Sequence, residues 1–221
     1  MGTNMGTMAD AENIMKTGTT TLGLVCKDGI VLAADRRATA GYLIAQKNTQ
    51  KLHIVTDTIA VTMAGTASDA QLLIRVAQAE LKLKSLRTNN EVTVKEAANL
   101  FARMVYNNIR KMSMIPGVSH FVMGGKDDAG FHVYDIFPDG TISKVDDYIS
   151  SGSGSVMVYG VLETMFKKDM STEEGTKLAI KSVNAAMQRD IASGNGIDVL
   201  VINKDGVKFV YQKEMNTKIE G

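Results

Sequence analysis

Cysteine occurs once in this chain, at Cys26, and histidine only at His53, His120 and His132. A lone thiol excludes an internal disulfide framework, and three scattered imidazoles offer no metal-ligand spacing. The expectation is therefore a chain with no metal and no cofactor, in a reducing, cytoplasmic compartment. No apolar run approaches the ~18 residues needed to span a bilayer. Charge is balanced as well: 25 Lys+Arg against 24 Asp+Glu leave a formal +1. That excludes a broad basic field for nucleic acid or an anionic membrane, so partners must be selected by shape. Several motifs are missing: there is no GxxxxGK[ST] phosphate loop, no GxSxG nucleophile elbow, no HExxH and no CxxC. The Gly-rich stretch at 151–155 lacks the lysine that a phosphate loop requires.

What the chain does have is ordinary globular material. Its 221 residues are 44% apolar and 22% charged, enough for one sizeable core and by default one domain. The segment ahead of Thr19, MGTNMGTMADAENIMKTG, is a separate matter. It lacks the basic start and continuous apolar stretch of a secretory signal. Its polar character before the sharp change to TTTLGLVC reads as a poorly ordered appendage or a removable segment.

From Thr19 the pattern is strand-like, with Leu22, Leu24 and Cys26 alternating with Thr21, Gly23 and Val25. Lys27, Asp28 and Gly29 supply a tight turn, and an apolar run ending at Asp35 returns as the second strand of a hairpin. Further strands are expected near 41–45, 51–56 and 58–64, ended by Gly65. A helix follows over about 68–86, with Leu73, Val76, Ala77 and Leu81 on one face. A capping box at Thr93 and Glu96 opens a second, whose stripe is Ala97, Leu100, Phe101, Met104 and Val105. Pro116 and Gly117 stop it. A second β-block covers about 119–149, with Gly124 and Gly125 through Gly130 as one turn region and 138–140 as another. Helices return over about 155–167 and after a capping box at Ser171 and Glu174, the last with Ile180, Val183, Met187 and Ile191 inward. Ser193 and Gly194 close it, and 197–203 with 207–212 form a final hairpin. Blocks of strands separated by pairs of helices are unlike βαβ alternation. They indicate an α+β protein of antiparallel sheets with segregated helix layers.

Some polar residues sit where packing alone would not put them. Asp35 ends an apolar strand, Lys51 begins another, and Asp190 falls in a last helical turn, where the dipole disfavours a carboxylate by about 0.3–1 kcal/mol. Singly, each has an ordinary explanation as a solvated charge, and Ser153 and Ser193 beside glycines are by default turn residues.

Jointly they match one arrangement. The segments Gly18-Thr19-Thr20-Thr21-Leu22-Gly23, Asp35 to Thr39, Lys51, Met63-Ala64-Gly65, Gly152-Ser153-Gly154 and Arg189 to Gly194 resemble proteasome β subunits of the catalytic archaeal type. The likeness extends over everything from Thr19 onward. It is specific, because a Gly-Thr junction, an acid at Asp35 and a lysine at Lys51 must coincide at set separations from Thr19.

The resemblance implies an N-terminal-nucleophile (Ntn) hydrolase fold, a four-layer αββα sandwich of two antiparallel sheets flanked by helices. It implies that residues 1–18 are a propeptide removed autocatalytically at Gly18-Thr19, leaving 19–221 as the catalytic domain of a threonine endopeptidase. A threonine hydroxyl is a weak nucleophile and needs a base within about 2.6–3.2 Å. The α-amine freed by the cut, with an unperturbed pKa of about 7.7–8.0, can serve, and Lys51 is the other available acceptor. A charged Lys51 held by Asp35 would favour the neutral amine and stabilise negative charge on the hydroxyl oxygen. By the same resemblance Ser153, Asp190 and Ser193 support the nucleophile, and the Gly65 N–H stabilises the oxyanion. The resemblance also implies that substrate would be held as an added strand between Thr39 and the stretch from Gly65 to Ala67. Met63, Ala38 and Ala67 match positions that line the family's first specificity pocket, which implies a preference for cleavage after large hydrophobic residues.

The implied partners are polypeptide substrates, identical β subunits in seven-membered rings, and α-subunit rings enclosing two such β rings in a twenty-eight-subunit core. A regulatory ATPase would act through the α ring. Two other readings compete, a non-catalytic structural ring subunit and a small-molecule amidase of the same fold. The first would lack the threonine, its Gly junction or the Asp-Lys pair, and the second would set its nucleophile in a different motif.

Overall fold

Thr21–Cys26 (β1) and Gly29–Asp35 (β2) open the chain as an antiparallel hairpin in the computed structural model, which describes residues 18–114 and 116–215. Of the expected leader only Gly18 falls among the described residues. Ala38–Ala40 (β3) and Leu43–Gln46 (β4) form a short ribbon around a turn at 41–42, where the sequence pattern indicates one strand. Leu52–Thr56 (β5) and Ile59–Gly65 (β6) follow, then helices Ala67–Thr88 (α1) and Val94–Ile109 (α2). Four strands come next: Ser119–Asp127 (β7), Gly130–Ile136 (β8), Ile142–Val145 (β9) and Tyr148–Ser151 (β10). Helices Ser155–Met165 (α3) and Thr172–Met187 (α4) precede the last hairpin, Gly196–Asn203 (β11) and Gly206–Glu214 (β12).

The strands build two five-stranded antiparallel sheets, ordered β10-β1-β2-β11-β12 and β5-β6-β7-β8-β9. Period-two alternation explains how they stack. In β2, Val31 and Ala33 point to one side and pack with Val158, Leu162, Leu178 and Val183 of α3 and α4. Ile30, Leu32 and Ala34 point to the other and meet Leu52, Ala60, Val122 and Val133 of the second sheet. The outer face of that sheet, through Val61, Met63, Phe121 and Met123, is covered by Leu73, Ala77, Phe101 and Val105 of α1 and α2. The layers are therefore helix, sheet, sheet, helix, an α+β sandwich. No helix among the described residues is long and apolar enough to cross a membrane.

Both capping boxes form. Thr93 accepts from the Glu96 N–H and Ser171 from the Glu174 N–H, with each glutamate returning to the cap N–H. Elsewhere the sequence pattern misleads. Gly124 and Gly125 are not in a turn but inside β7. A Cβ on Gly124 would stand 3.0 Å from Ile30 of the facing sheet, and one on Gly125 would stand 2.7 Å from Val94 of α2. These glycines let both neighbouring layers close on the strand. Val76 faces solvent, because α1 is covered along Leu73, Ile74, Ala77 and Leu81 instead. Leu100 and Met104 are only partly buried at the edge of the α2 stripe. The last helix ends at Met187, so Ile191 lies beyond it and is exposed, and Asp190 stands in the following loop rather than in a helical turn.

Candidate active site

The register of the opening hairpin sets the site. Thr21 pairs with Ala34, so Thr20 lies opposite Asp35, whose N–H donates to the Thr20 carbonyl at 3.1 Å. Asp35 is fully buried, yet each carboxylate oxygen has two donors. Oδ1 accepts from Lys51 Nζ at 2.7 Å and from the Thr20 N–H at 2.9 Å. Oδ2 accepts from the N–H groups of Arg37 and Gly194, both at 2.9 Å. Such saturation is what lets a carboxylate stay charged away from water. Lys51 is 3% exposed and is anchored through its own carbonyl, which accepts from the Met63 N–H. Burial lowers its pKa below the ordinary lysine value, and the charge and hydrogen bond of Asp35 pull the other way.

Thr19 sits at the entrance to β1 and is buried. Its hydroxyl donates to the Gly18 carbonyl oxygen at 2.7 Å. With Gly18 attached its nitrogen is a peptide amide, which donates to Ser153 Oγ at 3.3 Å. Ser153 lies in the loop between β10 and α3, and its hydroxyl donates to Asp190 Oδ2 at 2.6 Å. Ser193 Oγ donates to the same oxygen, also at 2.6 Å. The loop carrying Asp190 and Ser193 is fixed to the β2 end by Arg37, whose Nε reaches Asn195 Oδ1 at 2.8 Å and whose Nη1 reaches the Ile191 carbonyl at 2.7 Å. Close approach is permitted by Gly152, at φ +91°, where a Cβ would fall 2.0 Å from the Thr19 carbonyl. Gly65, at φ +101°, turns the chain out of β6, and a Cβ there would strike the Val118 carbonyl at 2.2 Å.

A cleft of about 440 Å³ opens on Thr19. Gly18, Ala38, Thr39, Lys51, Met63, Gly65 and Ala67 line it, so the residues named from sequence as nucleophile, processing site, oxyanion donor and pocket wall share one cavity. Ser153, Asp190 and Ser193 stand behind the Thr19 nitrogen instead. The Gly18 N–H donates to Thr39 Oγ1 at 3.1 Å, which seats Gly18 at the cleft. Two other depressions lie apart from this chemistry, one against the β5–β6 turn and one among Glu80, Lys84, Glu96 and Arg103 between α1 and α2. Sequence reasoning missed Gln46 and Gln71, which add polar groups to the cleft wall, and it missed Arg37 and Thr20. The signal for Arg37 was its position two residues after Asp35. Thr20 lies in the segment that carries the resemblance, but nothing in the sequence marks a role of its own for it.

A family model described as "Proteasome subunit" matches residues 15–202. A protein named proteasome subunit beta from Methanocaldococcus vulcanius is 41% identical over 205 residues, 92% of this chain and 90% of that protein. Its namesake from Methanococcus maripaludis is 42% identical over 199 residues, covering 90% and 89%. The one from Ferroglobus placidus is 44% identical over 203 residues, covering 92% and 95%.

Proposed function

The chain belongs to the proteasome subunit family, and we propose that it is a catalytic β subunit, a threonine endopeptidase whose nucleophile is Thr19. The observation that carries this reading is the position of the Thr19 hydroxyl, 2.7 Å from the carbonyl oxygen of the residue before it, in the cleft that also holds the buried Asp35–Lys51 pair. Attack of that hydroxyl on the Gly18 carbonyl carbon moves the acyl group from nitrogen to oxygen. Water then hydrolyses the ester, releasing the leader as an acid and Thr19 with a free hydroxyl and a free amine.

The freed amine is the base for later substrates. The hydroxyl proton passes to the amine as Oγ attacks the scissile carbonyl, and the amine returns it to the departing nitrogen. Lys51, beside Asp35, stabilises charge developing on Oγ. The Gly65 N–H serves the oxyanion, a donor whose loss typically costs about 10²–10³ in rate. An extended substrate lies along the cleft between Thr39 and the stretch from Gly65 to Ala67. Met63, Ala38 and Ala67 give a pocket wall that favours large hydrophobic residues before the scissile bond. The subunits assemble as seven-membered rings between α-subunit rings in the cytoplasm, and confinement inside them supplies selectivity that the open, strand-like binding mode does not.

Thr19→Ala tests the assignment. The variant should assemble, retain its leader and cleave no peptide, as read by intact mass and a fluorogenic substrate. Undiminished turnover would exclude Thr19.

A further inference from the structure

Thr20 is fully buried, has no place in the chemistry above, and touches both halves of the site. Its N–H donates to the same Asp35 oxygen that holds Lys51. Its hydroxyl lies 2.6 Å from Ser193 Oγ, a contact in which either oxygen could supply the proton. The surrounding bonds decide which one does. A hydroxyl has one proton to give, and an ionised carboxylate can only accept. Ser193 gives its proton to Asp190 Oδ2 at 2.6 Å, and Ser153 gives its own to the same oxygen at 2.6 Å, far shorter than its 3.4 Å contact with the Thr19 carbonyl. With the Ser193 proton committed, Thr20 is the donor. The chain then runs one way, from Thr20 through Ser193 to Asp190, and from Thr19 N–H through Ser153 to Asp190.

We infer that Thr20 is a positioning residue for the proposed reaction: its hydroxyl donates to Ser193 and ties the 190–193 loop to the start of β1, which holds Asp190 where it takes the Ser153 proton and leaves Ser153 to accept from the Thr19 nitrogen. That arrangement matters once the leader is gone. An amine that donates one N–H to Ser153 keeps its lone pair for the Thr19 hydroxyl proton, whereas a Ser153 free to rotate would donate into that lone pair and block the base. Gly154 is built around the same hydroxyl. A Cβ on it would lie 1.9 Å from Thr20 Oγ1 and 3.2 Å from Asp190 Oδ2.

The inference rests on Thr19 as nucleophile, and the test separates the two. Assembled wild type, Thr20→Val, Thr20→Ser, Ser193→Ala and the Thr20→Val/Ser193→Ala double variant are compared for kcat and KM on one peptide, with thermal unfolding as the check on folding. Thr20→Val should lower kcat about tenfold with KM unchanged, as expected for one lost buried hydrogen bond. Thr20→Ser should restore it, and the double variant should be no slower than Ser193→Ala alone, because the two act through one bond. Should Thr20→Val fail to fold, Thr20→Ala takes its place in the cycle. Full kcat in Thr20→Val, or losses that simply multiply in the double variant, would overturn the role of Thr20 while leaving Thr19 standing. A wild type that cleaves peptides with Gly18 still attached would overturn the underlying reading instead.

Discussion

A lysine buried against a carboxylate is tolerable only while both remain paired, since removing one partner typically costs about 3–5 kcal/mol. Asp35 and Lys51 are 0% and 3% exposed, so this applies to them in full. Lys51→Ala should therefore do two things: lower the unfolding midpoint in urea and reduce peptide hydrolysis by about a hundredfold or more. A loss below about tenfold would give Lys51 a purely structural role. Cys26 makes a separate prediction. Burial first, then the charges of Asp28 and Glu174, push its thiol up from 9.0 to about 12. The unfolded chain releases that proton near pH 9 and the folded one keeps it, so between those values the folded state binds more protons and loses stability as pH rises. Melting temperature should fall from pH 9 toward pH 12, and Cys26→Ala should flatten the fall. An unchanged slope would show that other groups govern it. At this scale the sequence was most legible at the pairing of Asp35 with Lys51 and in the cleft that Gly18, Thr19 and Lys51 share. It was least legible at Thr20, whose partner Ser193 is 173 positions away.

Among the elements, local chemistry was readable and long-range packing was not. The capping boxes at Thr93 and Ser171 are short patterns satisfied by their own residues, and they could be placed in advance. Gly124 and Gly125 looked like a turn because glycine usually punctuates one, but here two neighbouring layers claim the space of their side chains. Gly125→Ala should destabilise the fold by about 1–3 kcal/mol through overpacking against Val94, measured by urea unfolding. A neutral result would mean that α2 shifts aside at no cost. Asp190 was misplaced for a related reason. Apolar periodicity ran through to Ile191, yet the chain leaves the helix after Met187 to bring Asp190 beneath Ser153 and Ser193.

For the molecule as a whole, the order of strands and helix pairs was sufficient to anticipate two sheets between helix layers, because each sheet must bury both faces and each helix one. Which strands neighbour one another was not readable, and it is this order that joins the site. Placing β1 between β10 and β2 brings the 152–154 loop and Asp35 to either side of residues 19 and 20. The proposed activity then requires one covalent event in the assembled particle, the cut before Thr19. Intact-mass analysis of assembled, peptide-cleaving protein tests it most directly. The account predicts a chain that begins at Thr19, lighter than the full sequence by the mass of everything up to and including Gly18. An active particle whose chains all retain Gly18 would contradict it.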